Sequence, residues 1–249
     1  MLSVWLITVL LAPISCKKAQ EPAAAVDASA AEAAYAEEEA AASARIRTQM
    51  HAQFATAIGA RDALIAGDLE GSQAKLREMD AFTLPPEIPT EWSEHFDAFK
   101  AAAARGAEAE DIAGTSDAIS DLALACGGCH QAIGVVQGGD PGSPPADQEA
   151  SGMHMARHQW AADQMWMSLL GATDALWHRG VEALAVEPLH EHEVGEMPEQ
   201  AERLAEWVHQ MSEFGEEATL DTETRSAYYA ELIVTCAECH TLMERGPTK

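Results

Sequence analysis

The residues able to do chemistry are concentrated in two copies of one pentapeptide. They are Cys126-Gly127-Gly128-Cys129-His130 and, 110 residues further on, Cys236-Ala237-Glu238-Cys239-His240. On a helix, sulfurs at i and i+3 and an imidazole at i+4 leave from one face. Two thioether bonds to a porphyrin and one axial nitrogen ligand require that arrangement. The expectation is two covalent haem c groups, one on Cys126 and Cys129 and one on Cys236 and Cys239, with His130 and His240 as proximal iron ligands. Paired cysteines also serve as redox dithiols, and two pairs can share one structural zinc. Neither use calls for a histidine directly after both pairs. The motifs take four of the five cysteines, so none is left over for a structural disulfide.

The fifth, Cys16, is informative by position. Residues 1–15, MLSVWLITVLLAPIS, are apolar and uncharged, and the run stops at Cys16-Lys17-Lys18. A run of this length falls short of the roughly 20 residues that span a bilayer but suits the h-region of a secretory signal. Ser15-Cys16 resembles the lipobox of a bacterial lipoprotein, which implies an acylated Cys16 as mature N-terminus. Pro13 stands where that motif usually has leucine, and no basic n-region precedes the run. The expected location is the periplasmic side of a bacterial envelope, because c-type haem is attached beyond the inner membrane, with the membrane reached through a lipid anchor only.

The elements that must position the motifs read as helices, with little strand periodicity. Residues 19–44 are rich in Ala and Glu and cannot build a core; Gln137 to Pro145 is a linker by composition. The expected division is a signal peptide (1–15), a tether (16–44), a first haem domain (45–136), a linker (137–151) and a second haem domain (152–249). In the first half, helices are predicted from about 40 to 66, 69 to 82, 92 to 105 and 116 to 132, the last N-capped by Ser116, with Pro85, Pro86 and Pro89 between the second and third. In the second half they are predicted near 152–170, 174–186, 197–214 and 222–244. Four helices with short connections argue for an antiparallel bundle in each half, so the fold class is all-α, two tandem four-helix bundles. Phe54, Ile58, Leu64, Ile65, Tyr228, Leu232 and Ile233 are expected core residues.

The halves read as a duplication. Trp92 and Phe99 match Trp207 and Phe214 at a shift of 115, and Met50-x-x-Gln53-Phe54 resembles Met155-x-x-His158-Gln159. A rival alignment, GARDALIAGDLE (59–70) on GATDALWHRGVE (171–182), is set aside because it puts Gly59 inside a helix and Gly171 at the end of one.

Each motif closes its repeat, and only nine residues follow His240, so a distal ligand for the second haem must come from upstream. In this placement both halves, about 40–135 and 150–245, resemble the class II cytochromes, the cytochrome c′ and cytochrome c556 group. The resemblance implies four-helix bundles with the haem on the last helix and its far face toward the first. It further implies one of two distal arrangements: an open sixth position that takes nitric oxide or carbon monoxide, or a methionine from the first helix. Met50 and Met155 stand at matching places for the second arrangement, with His51 and His158 as alternatives. His95, His178, His190, His192 and His209 are expected on the surface or in loops. The functional expectation is an electron-transfer protein rather than an enzyme. The alternatives are a gas-binding or gas-sensing protein and, less in keeping with the short chain, a dihaem peroxidase.

Charge bears on partners. Fifteen basic residues against 41 acidic ones give a net charge of −26, which disfavours nucleic acid and anionic lipid as ligands and fits basic redox proteins. No Ser/His/Asp order, phosphate-binding glycine loop or basic patch is present.

Overall fold

A computed structural model describes residues 28–84, 88, 92–135, 142–146, 151–171, 173–185, 196–216 and 220–244. Cys16, His190, His192, Pro85, Pro86 and Pro89 lie outside the described residues. Among these residues the protein is all-α, with eight helices: α1 (Ala28–Ile65), α2 (Leu69–Asp80), α3 (Ser93–Glu108), α4 (Ile112–Ala132), α5 (Ser151–Gly171), α6 (Asp174–Leu184), α7 (Glu199–Gly215) and α8 (Thr222–Leu242). None of them is long and apolar enough to cross a membrane. Arg45–Lys249 form one compact unit and Met1–Ala44 another.

Local chemistry explains where the helices begin. Asp68, Asp111 and Asp221 precede α2, α4 and α8, and each carboxylate accepts a hydrogen bond from the backbone N–H three residues on, at 2.8 Å. These bonds satisfy donors that a helix start otherwise leaves unpaired. The expected cap of α4, Ser116, is displaced by Asp111, because an aspartate one turn earlier captures the first free N–H. Helix α1 begins at Ala28 rather than near residue 40, as its Ala/Glu run has high helix propensity although it buries little.

Ser116 is instead part of the contact between halves. Its hydroxyl donates to the carbonyl of Ala230 at 2.7 Å, and that of Ser120 to the carbonyl of Ser226 at 2.6 Å, all buried. Shifting 116 and 120 by the 110 residues that separate the two motifs gives 226 and 230, so the partners exchange places across the contact. This is the signature of a self-complementary, two-fold interface, here within one chain. As the residue number rises on α4 it falls on α8, so the two motif-bearing helices cross antiparallel.

Around this crossing α3 packs on α2 and α4, α6 on α5 and α7, and α8 on α5 and α7, while α4 also meets α5. One core cluster draws residues from all eight helices, including Leu64, Leu76, Phe99, Leu122, Trp166, Trp177, Met211 and Ile233. Leu64, Ile65, Leu232 and Ile233 are buried as expected; Phe54 is 41 % exposed, because its side of α1 faces solvent. Arg61 is fully buried, with ion pairs to Asp62 at 2.6 Å and to Asp163 of α5 at 2.5 Å. Both of these carboxylates keep partial contact with water, which lowers the cost of the buried charge.

The repeat is clearer in three dimensions than in sequence. Gly106 abuts Leu76 and Ala118, and Gly215 abuts Val181 and Tyr228, so the two glycines hold equivalent places in the halves. The shift is therefore 105 residues for the second helices, 109 for the third and 110 for the fourth. The matching of Trp92 and Phe99 with Trp207 and Phe214 fails on this geometry. Phe99 is buried and Phe214 is 59 % exposed, and the structural counterpart of Phe99 is Val208. The rival alignment is also excluded, since Gly59 lies within α1 and Gly171 ends α5.

Candidate haem sites

Each motif occupies the last turns of its helix, Cys126–His130 on α4 and Cys236–His240 on α8. The antiparallel crossing carries them to opposite ends of the helix pair. The four cysteines therefore do not converge, and among the described residues no three His, Cys, Asp or Glu side chains group to hold a metal ion. A zinc shared between the two pairs has no geometric basis here. The thiols are also unlike those of a redox dithiol, whose nucleophile has a depressed pKa. Burial, and after it the neighbouring Cys129, pushes the Cys126 thiol up to about 12, and burial with Cys239 does the same to Cys236.

The second site is a small, partly open cleft with an interior volume of about 30 Å³. Cys236, Cys239 and His240 of α8 form one wall. Met155 and His158 of α5 line it too, and Leu204, Ala205 and Val208 of α7 close it with apolar surface. Thus the sequence-predicted attachment cysteines, proximal histidine and both distal candidates of the second repeat come together in one space. His158 is near enough to His240 for their charges to interact; burial first, then His154, His240 and Arg157, lower its pKa to about 3. Its imidazole is neutral at physiological pH, with a lone pair available to a metal.

The orientation of His240 comes from the other half of the chain. Its Nδ1 lies 2.7 Å from the carbonyl oxygen of Ile65, in the last turn of α1. A carbonyl only accepts, so Nδ1 carries the proton and Nε2 keeps the free lone pair, as an axial ligand needs. The turn beyond Ile65 is built to approach α8: Gly67 has φ +78°, and a Cβ there would lie 2.5 Å from Thr241 Oγ1. The mirror contact exists at the first motif, where an added Cβ on Gly127 would run into the carbonyls of Leu169 and Leu170 in the last turn of α5. Each first helix thus reaches the motif of the opposite repeat.

At the first site His130 has its pKa lowered by burial, and the opposite wall includes α3, where His95 Nδ1 stands 3.8 Å from the place a Gly128 Cβ would take. By the shift of 109, His95, Phe96 and Phe99 occupy the places of Leu204, Ala205 and Val208; the Phe96 and Phe99 rings stack at 5.6 Å. The first half therefore carries aromatic side chains at the α3 places where α7 has aliphatic ones beside the second site. On α1, Met50 and Gln53 are half-buried and His51 is exposed. The Nε2 of Gln53, which occupies the position of His158, is buried without a hydrogen-bond partner.

Histidines expected at the surface are less exposed than the sequence implies: His95, His178 and His209 sit half-buried on α3, α6 and α7. His154 escaped sequence reasoning. It is buried, and its ring centroid lies 4.5 Å from that of His158, the two rings tilted at 55°; the i, i+4 spacing of the two on α5 was the available signal. The Ile65 carbonyl had no signal at all, being backbone.

Haem fits the donor set of the second site. Two half-buried thiols at i and i+3, a histidine with its tautomer fixed by a carbonyl, and thioether and imidazole groups on α5 are the ligands that haem c attachment and six-coordination use. No family model, curated protein or solved structure matches the chain.

Proposed function

We propose that the chain is an exported dihaem c-type cytochrome that carries single electrons. Each half is read as a class II-like four-helix unit, with haem c on Cys126/Cys129 and His130 in the first and on Cys236/Cys239 and His240 in the second. The observation that carries this reading is the second cavity, where two cysteines, an oriented histidine and two candidate distal ligands meet. Haem, when bound, supplies the reversible one-electron couple. The protein supplies the rest: His240 is aimed by Ile65, α5 offers Met155 or His158 on the far face, and α7 keeps water from that side. The matching distal group of the first haem is Met50. Export and lipid attachment at Cys16 complete the proposal and place the carrier at the periplasmic face, meeting basic redox proteins.

Acid–acetone extraction tests the cofactor directly. Two haems per chain should stay on the protein, and Cys126→Ala with Cys129→Ala should remove one. In the native chain none of the four motif thiols should react with Ellman's reagent after denaturation, whereas zinc or a free dithiol would leave them titratable. Mass spectrometry of the mature N-terminus tests the anchor: an unmodified residue other than Cys16 there would end the lipoprotein reading.

A second reading concerns the first haem alone. The unpartnered Nε2 of Gln53, in the place of His158, favours a position able to donate a hydrogen bond to a small iron-bound molecule. Carbon monoxide binding by one haem of the reduced protein would support gas binding there, and two closed haems would support the carrier alone.

A further inference from the structure

The repeat supplies an internal control for what the fold requires of each position. The outer, exposed face of α7 carries Glu202, Glu206, Trp207, Gln210, Glu213 and Phe214. Trp207 and Phe214 are 38 % and 59 % exposed. They lie seven residues apart, two turns and about 10 Å along one side of the helix. At the equivalent places of α3 the chain has Ala98 and Arg105, both exposed, the latter ion-paired to Asp121 at 2.6 Å. The corresponding helix of the first half therefore folds without aromatic residues at these two places. Two large apolar side chains in water, at positions where the duplicate uses Ala and Arg, have a purpose outside the fold.

Two further observations say what it is. The inner face of α7 contributes Leu204, Ala205 and Val208 to the second cavity, so the aromatic face lies one helix thickness, about 10 Å, from that site. Glu202, Glu206 and Glu213 flank the aromatics, and the only cation among them, Arg203, is held by Glu199 at 2.6 Å. Aromatic anchors within a rim of one charge are the anatomy of a protein-binding surface.

We propose that the outer face of α7, centred on Trp207 and Phe214, is the docking surface for a basic redox protein exchanging electrons with the second haem. The redox part of this rests on the carrier reading above; the binding part does not. The carboxylates steer a lysine-rich surface toward α7, and the two aromatic rings fill contacts that fix its orientation.

The test is calorimetric titration of the full-length protein with a lysine-rich monohaem cytochrome c at low salt. Trp207→Ala with Phe214→Ala should weaken binding by about tenfold or more, since central aromatic contacts dominate interfaces. Both side chains are exposed, so haem content and unfolding midpoint should stay those of the unmodified protein. Glu94→Gln with Asp97→Asn, on the matching face of α3, should leave affinity nearly unchanged. Equal loss from the α3 and α7 variants, or no loss from the α7 pair, would overturn the assignment. So would self-association of the native chain that the α7 pair abolishes while affinity for the cytochrome stays the same, because the face would then bind a second copy. Reduction by a small inorganic reagent, run alongside, separates the two readings. A chain without reducible haem ends the carrier reading, while the titration still decides the surface.

Discussion

A histidine proposed as a proximal ligand needs more than its place in a motif. His240 is held by a carbonyl 175 residues away in sequence, and that carbonyl is brought near by a left-handed glycine turn. Gly67→Ala is therefore expected to act twice. The left-handed φ alone costs a Cβ-bearing residue about 1–2 kcal/mol, and the new methyl would press on Thr241, whose hydroxyl bonds Ala237 inside the second motif. Urea denaturation should show the loss of stability, and a redox titration should show the second haem shifted and the first unmoved. Gly142→Ala is the control, since Gly142 has φ +72° with nothing within 4 Å of its Cβ position. A Gly67→Ala protein with an unaltered second haem would show that Ile65 does not position His240. The contrast also marks what sequence can reveal. Cys236, Cys239 and His240 were legible because helix geometry ties all three to a local spacing. Ile65 and Gly67 were not, because a backbone carbonyl has no residue type and long-range proximity leaves no periodicity.

Helices were legible for the same local reason. Breakers and apolar spacing placed seven of the eight starts and all eight ends within about four residues; α1 ran longer because a polar Ala/Glu run satisfies helix propensity without burying a face. Correspondence between repeats was less legible. The Trp and Phe pairing followed residue type, but the third helices superpose on their small residues, Gly106 and Gly215, where neighbours come close. Repeat-matched residues also make the element-scale predictions. The two motif helices end at residues of positive φ 110 apart, Gly134 at 69° and Glu244 at 50°. Glycine is at ease there and glutamate is not, so Glu244→Gly should stabilise the chain by about 0.5–1 kcal/mol. No change in urea midpoint would mean that the Glu244 side chain compensates its backbone. At the α4/α8 crossing, Ser120→Leu inserts bulk where hydroxyls meet at 2.6 Å and should cost about 1–3 kcal/mol. Ser120→Ala should cost nearer 1 kcal/mol, the worth of the buried hydrogen bond. If leucine is tolerated as well as alanine, the helices are not in the close contact that the serines imply.

At the scale of the molecule, the antiparallel crossing would decide how the two proposed haems share one chain. The paired hydrogen bonds centre the contact near residues 118 and 228, and each motif lies about ten residues, or ~15 Å, beyond it in opposite directions. Even with the crossing angles of up to about 50° common in globular proteins, the motif midpoints stay about 27–30 Å apart. Electron tunnelling decays exponentially with distance, so haems at such a separation exchange far more slowly with each other than with a partner docked beside either. The proposed carrier then works as two stations at opposite ends. On the docking proposal the α7 face serves the second, which leaves the first, on the side of Phe96 and Phe99, to a different partner or ligand. Duplication and motif spacing were legible in the residues themselves. This polarity was not, because it depends on which helix faces the two repeats present to each other. Pulsed electron paramagnetic resonance on the oxidised protein should return an iron–iron distance above about 20 Å and two spectra without mutual splitting. Strong dipolar or exchange coupling between the irons would place the haems side by side. That outcome would leave two covalent haems in place but overturn the two-ended arrangement, and electrons would then be expected to enter at one haem and leave by the other.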